Sequence, residues 1–260
     1  MERKRTREAG CSRETMERLV SLAARLLLEC GAETYRVEET VCFIARRLGA
    51  RDAQVLSLPT GCLYTLVDAE GETFSRVVRV HARSTNLSTI EQVNDISRGL
   101  VDGRFDEGEA LVKLEALCAV PPQPLWAGIG ASVLGASGFA VLFQGGWYEA
   151  LVAAVCGGLA SLLSRAFGPA LLPSCFHLFL SGALSAALAR ISALLRPEAG
   201  VSAIIVGAIM PLLPGMLITN AIRDTVSGDL LSGVARSAEA LIRSAAIAAG
   251  VGVALALWRV

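Results

Sequence analysis

Apolar positions at helical spacing open the chain. Leu19, Leu22, Ala23, Leu26 and Leu27 fall on one stripe of an amphipathic helix predicted over Arg13–Cys30. Gly31 is placed to end it, and Tyr35–Leu48 resumes the helical pattern until Gly49. The period then changes. Gln54–Leu58 and Cys62–Val67 read as strands around the turn Pro59-Thr60-Gly61, and Thr73–Val80 reads as a third strand after the turn Asp68-Ala69-Glu70-Gly71. Ser88-x-x-Glu91 spells a capping box ahead of a helix to about Val101, and Asp106-x-x-Glu109 spells a second one. Together these elements predict a small α+β domain over residues 1–120, large enough for its own core.

Beyond that point the polar face disappears. Uncharged runs cover Ala116–Tyr148, Ala150–Ser164, Ala166–Ala189, Ala199–Ile222 and Ser244–Trp258. A spanning helix needs about 20 mostly apolar residues. Pro121, Pro122 and Pro124 delay the first helix to about Leu125, and the shorter runs must borrow flanking residues. The expected architecture of 121–260 is therefore an all-α membrane bundle of five transmembrane helices, at about 125–143, 147–165, 170–189, 200–222 and 238–258. Small residues four apart, at Ala131/Gly135, Gly157/Ser161 and Gly182/Ala186, favour close helix contact within such a bundle.

Charge sharpens the division. Of 24 basic and 24 acidic residues, 17 and 19 lie in residues 1–124, which leaves 7 basic and 5 acidic for the last 136 positions. Water for the first half and lipid for the second is the expected pair of environments. The balanced net charge offers no basic face, so no nucleic-acid partner is expected. Seven scattered cysteines without a Cys-x-x-Cys pair, and only His81 and His177, give no metal-ligand spacing; no cofactor is expected. The charged Met1–Gly10 start lacks the apolar core of a cleavable signal, so the N-terminal domain is expected in the cytoplasm. Loop arginines are evenly divided and do not set the topology. A membrane-anchored hydrolase or sensor is the alternative class, but no Gly-x-Ser-x-Gly elbow occurs and His81 is the single histidine of the first half.

Candidate transport chemistry concentrates late in the chain. In Met210–Asp224, Pro211, Pro214 and Gly215 interrupt the fourth span about 15–21 Å from its start at 1.5 Å per residue, near the bilayer midplane. Prolines there remove helical hydrogen bonds and free carbonyls, which must face protein or a watery cavity. Broken helices at this depth are a common basis for transporter substrate sites. Thr219, Asn220, Arg223 and Asp224 follow on the same segment, and Asp229 flanks the next loop. Arg243 must lie in or near the bilayer if the last span is to be long enough, and Glu239 precedes it by four residues, the favourable order for a helical ion pair. A small substrate carrying a carboxylate would bind at the break, with Arg243 as counter-charge and Glu239 or Asp224 handling protons.

Several of these stretches resemble one family. Gly31-Ala32-Glu33-Thr34-Tyr35-Arg36-Val37-Glu38-Glu39, Leu58-Pro59-Thr60-Gly61, Asn86-Leu87 and Val93-Asn94-Asp95-Ile96-Ser97-Arg98 are similar to the N-terminal domain of the threonine/serine exporter family. Pro214-Gly215-x3-Thr219-Asn220-x2-Arg223-Asp224-x4-Gly228-Asp229-Leu230-x2-Gly233-x2-Arg236-x2-Glu239-Ala240 resembles its membrane signature. The resemblance implies a bacterial inner-membrane exporter of small polar metabolites, threonine and serine or a dicarboxylate such as succinate, driven by protons. Fused members carry a second membrane half. A chain ending at Val260 therefore resembles the larger component of a split exporter, which implies a second small membrane subunit, a homo-oligomer, or both, as partners within the lipid bilayer.

Overall fold

The computed structural model describes residues 12–119, 124–166 and 174–258. The chain is mostly helical with one small sheet, and it divides into two compact units. Within the described residues, the first holds 12–119 together with Ile218–Arg236; the second holds 124–217 and 237–258.

The first unit is built on α1 (Arg13–Glu29), α2 (Thr34–Arg47), β1 (Asp52–Leu58), β2 (Gly61–Val67), β3 (Thr73–Arg79), α3 (Leu87–Val101) and α4 (Glu107–Cys118). The strands form an antiparallel meander in the order β1-β2-β3, with Leu58 opposite Gly61 and Gly61 opposite Arg79. Alternation places Cys62, Tyr64 and Leu66 of β2 on the buried face, against Leu19, Val20, Leu27, Val41 and Ile44 of α1 and α2. Leu58-Pro59-Thr60-Gly61 closes a two-residue hairpin. A β-carbon at Gly61 would lie 2.6 Å from the Val78 carbonyl oxygen, so glycine is required by the backbone approach.

Element starts follow local chemistry. Ser12 caps α1 by accepting from the Thr15 N–H at 3.2 Å, and the expected capping box of Asp106 and Glu109 is present on α4. The box expected at Ser88 is not the cap of α3. Asn86 is, accepting from the Thr89 N–H at 3.1 Å. Its own N–H donates to the Cys30 carbonyl, as that of Ser84 does to Glu29, and these bonds hold the 84–86 segment so that the helix begins earlier. The six described cysteines are unpaired.

The second unit contains α5 (Leu125–Leu142), α6 (Trp147–Ala166), α7 (Ser174–Leu195), α8 (Val201–Ile209) with a 3-10 turn Met210–Leu212, and the later part of α10 (Leu230–Leu257). Helix α9 (Gly215–Val226) lies between α8 and α10 in sequence. Among the described residues, four helices are long and apolar enough to cross a membrane: α5, α6, α7 and α10. A fifth span exists only if α8 with its turn and α9 count as one bent pair, because twelve residues from Val201 to Leu212 extend about 18 Å, short of a core about 30 Å thick. The last helix also begins at Leu230 rather than near 238, and the third continues past Arg190 to Leu195. The expected start of that third span at 170 lies outside the described residues.

Glycines set the packing of this unit. A β-carbon at Gly157 would sit 2.6 Å from the Ser132 carbonyl oxygen, so α5 and α6 meet backbone to backbone. Gly182 approaches Ile247 and Gly250 approaches Phe179 in the same way across α7 and α10. Large apolar side chains such as Trp126, Leu134 and Leu142 remain exposed, as suits helices surrounded by hydrocarbon. Glu149 accepts from the N–H groups of Gly146 at 2.8 Å and Gly200 at 3.0 Å, fastening the start of α6 to the start of α8. This packing separates two otherwise identical substitutions. Gly250→Ala must push its methyl into the Phe179 carbonyl and should lower stability by about 1–3 kcal/mol. Gly252→Ala meets open space and should be neutral or stabilising by up to about 1 kcal/mol, as read by thermal unfolding in detergent.

Candidate functional site

The chain leaves α1 through Gly31, whose φ of 82° is reached cheaply only without a β-carbon. The Ala32 N–H returns to the Leu27 carbonyl at 2.9 Å, and α2 begins three residues after Gly31. Glu33 stands at the N-cap but makes no side-chain capping bond, so the first N–H groups of α2 need acceptors from elsewhere. Asp224 of α9 supplies them. Its two oxygens accept from the Thr34 N–H at 3.1 Å and the Thr34 hydroxyl at 3.2 Å, a carboxylate placed where the positive end of the helix dipole favours it.

Asp224 is fully buried, so its charge requires compensation. Arg236 of α10, 4% exposed, brings Nε to 2.9 Å from Asp224 Oδ2 and donates from Nη2 to the Ala32 carbonyl at 2.7 Å. Asn220 donates to the Gly31 carbonyl at 2.8 Å, and Arg223 pairs with Glu33, which Arg36 also approaches at 3.6 Å. The 31–36 loop is thus held by one helical hairpin through backbone and side chain alike. Close approach within that hairpin depends on Gly233, where a β-carbon would collide with the Thr225 hydroxyl. The turn between its helices uses Gly228 at φ 95°.

A second carboxylate group borders this network. Glu38 of α2 accepts from the Ser57 N–H at 2.7 Å. Burial pushes its carboxyl above the ordinary glutamate value; the Ser57 bond opposes that and the charge of Asp229 adds to it. Asp229 is raised as well, by burial and then by Asp224.

Of the residues singled out in the sequence, Asn220, Arg223 and Asp224 are gathered at the 31–36 loop, with Asp229 beside them. Pro211 lies in the 3-10 turn, Leu213 is extended at φ −65° and ψ 140°, and the helix restarts after Pro214 with Gly215. Thr219 lies exposed on α9. In the second unit Glu239 and Arg243 form the expected i, i+4 pair at 2.7 Å. In the sequence Arg236 stands only within the resembled signature, with no role of its own. A signal was available: Asp224 and Arg236 are opposite charges in an otherwise charge-poor region, and each needs a partner.

Several apolar helices, with a further pair broken at two prolines, are the architecture of a multi-pass membrane protein. The chain matches the profile of the family described as "Putative threonine/serine exporter" over residues 18–258, and it belongs to that family. It is 26% identical over 246 residues to the "Probable threonine/serine exporter" of Mycobacterium tuberculosis, covering 94% of this chain and 46% of that one. It is 27% identical over 255 residues to the "Threonine/serine exporter" of Corynebacterium glutamicum, covering 92% and 51%. It therefore spans about half the length of these exporters. The "Probable succinate transporter subunit YjjP" of Klebsiella aerogenes is 25% identical over 251 residues, 93% of either chain. No solved structure matches.

Breaking the buried pair on one side should be expensive. Asp224→Ala strands Arg236 and should destabilise the protein by about 3–5 kcal/mol. Asp224→Leu combined with Arg236→Met should recover part of that loss, and thermal unfolding in detergent of the unaltered chain, Asp224→Leu, Arg236→Met and their combination reads the coupling. Glu38 makes a pH prediction. Its proton is held more tightly folded than unfolded, so its stabilisation is complete below the ordinary glutamate range and is lost as pH rises through the raised value. Glu38→Gln keeps an acceptor for Ser57 and should flatten the dependence of melting temperature on pH across that window.

Proposed function

We propose that this chain is a secondary-active exporter component of a bacterial inner membrane, moving small polar metabolites outward under proton-motive force. Threonine and serine, or a dicarboxylate such as succinate, are the substrate classes in view. The names of the Mycobacterium, Corynebacterium and Klebsiella relatives support them. A second small membrane subunit completes the transporter in this reading. The word "subunit" in the name of a relative matched over 93% of its length supports that. The N-terminal domain faces the cytoplasm.

The observation that carries the reading is the break at Pro211, Pro214 and Gly215 in a pair of helices that together are apolar enough to span. Proline supplies no N–H, so the break leaves backbone carbonyls without their helical donors, the usual chemistry of a transporter midplane site. We assign substrate contact to this break and to Thr219 beyond it. Glu239 and Arg243 would serve as the ionisable pair, opening when a carboxylate competes for the arginine or a proton for the glutamate. Asn220, Arg223, Asp224 and Asp229 sit within or beside a network that grips the 31–36 loop. Their proposed role is to transmit movement of that loop to the segment following the break.

Efflux from cells that lack their own exporters, preloaded with threonine, serine or succinate, tests this directly. Export of at least one of them is expected when the chain is expressed with its membrane partner, and Arg243→Ala should abolish it while leaving membrane insertion intact. Export of none, with both proteins verified in the membrane, removes the reading. Undiminished export by Arg243→Ala removes the assigned role of the charge pair.

A further inference from the structure

A cavity of about 170 Å³ adjoins the break, inside the second unit. Ser132 of α5, Ser161, Ser164 and Arg165 of α6, and Pro211 and Leu212 of the 3-10 turn line it. Among its described lining residues there is no aspartate, glutamate, lysine or histidine, and Arg165 brings a guanidinium to it. Ser132 lies seven residues into α5, about 10 Å along the helix, and Pro211 lies about 15 Å along from Val201. The cavity therefore runs from the end of α6 to the broken segment.

An arginine in the last turn of a helix is ordinary, since the negative end of the dipole favours a cation there. Arg165 has more than that. Its guanidinium lies over Gly128 of α5, and a β-carbon at 128 would collide with Nη2. The missing side chain is what lets the planar fork lie against the helix at the cavity wall. The neighbouring Gly130 has open space where its β-carbon would be, so crowding of the backbone is not general along this stretch.

We propose that this cavity is a carboxylate-binding site, with Arg165 as the charge-bearing recognition residue and Ser132, Ser161 and Ser164 as hydroxyl donors. It rests on the exporter reading and deepens it, by naming the group on the substrate that is recognised and a counter-charge that sequence reasoning did not single out. The guanidinium fork matches a carboxylate in two parallel hydrogen bonds, which an ammonium cannot do. Each serine adds one donor that rotates to suit, and also acceptors for a substrate hydroxyl or ammonium. The volume equals about five or six water molecules, which fits a small metabolite and excludes a peptide or nucleotide. A carboxylate is the one group that threonine, serine and succinate share, so a single site of this kind serves all three.

Equilibrium binding of radiolabelled succinate, threonine and serine to the purified full chain, in nanodiscs of zwitterionic lipid, tests the site without a partner subunit. Binding of at least one is expected, and the analogue with its carboxylate converted to an amide should fail to compete. Arg165→Gln should weaken binding by about tenfold or more, Arg165→Lys by less, and Gly128→Ala should weaken it by displacing the fork. Gly130→Ala should bind as the unaltered chain does. Wild-type affinity in Arg165→Gln, equal competition by the amide, or no binding of any of the three acids overturns the site. The exporter reading fails separately. A chain that exports while Arg165→Gln exports equally well loses this site only, whereas carboxylate binding without export by any partnered form removes the transport reading and keeps the site.

Discussion

A buried carboxylate that cannot stand alone organises the first unit. Asp224 is removed from water, and three demands meet on it: its own charge, the charge of Arg236 and the uncapped start of α2. Each satisfies another. The arginine neutralises the aspartate, the aspartate accepts from Thr34, and the arginine donates onward to the carbonyl of Ala32. Because removing any one member leaves a buried polar group unpaired, residues 31–36 and the 218–236 hairpin are bound to a single geometry. An apolar contact of equal area would tolerate sliding. This one does not.

That constraint gives meaning to the glycines around it. Gly31 supplies the turn that points two carbonyls at Asn220 and Arg236, Gly228 reverses the chain, and Gly233 lets the two helices of the hairpin approach until Thr225 fills the gap. Hairpin residues with apolar side chains, including Ile222, Val226 and Val234, stay exposed, while Asn220, Asp224, Ser232 and Arg236 are buried. The usual distribution is reversed. It suits a segment whose polar groups find their partners in protein and whose apolar groups have a non-aqueous neighbour.

The second unit works by a different rule. Its large side chains point outward, its core is alanine, glycine and a few isoleucines, and backbone proximity replaces side-chain interdigitation. Such packing leaves little internal space, so the serine-lined cavity beside Pro211 is a feature of sequence as much as of shape: small hydroxyl side chains and Gly157 stand where larger residues would close it. A proline-broken segment next to a polar cavity is the arrangement that irregular backbone needs at membrane depth.

Most of the secondary structure is legible in the sequence, because it is local. The stripe of α1, the three strands, the capping box of Asp106 and the first residue of α5 after Pro124 each follow from residues within a few positions. The Glu239–Arg243 pair was legible for the same reason, since i, i+4 spacing on a helix is itself a contact. The cap at Asn86 was not, because bonds to the end of α1 decide where that helix begins. Nor was the grip of Asp224 and Arg236 on Thr34 and Ala32, about 190 to 200 residues away in sequence. Periodicity and composition act over one or two turns, so they determined elements, burial classes and the membrane character of the later half. Which charge meets which loop is settled by long-range closure, where the cost of burying an unpaired group selects one partner among many, and only the tertiary structure could decide it.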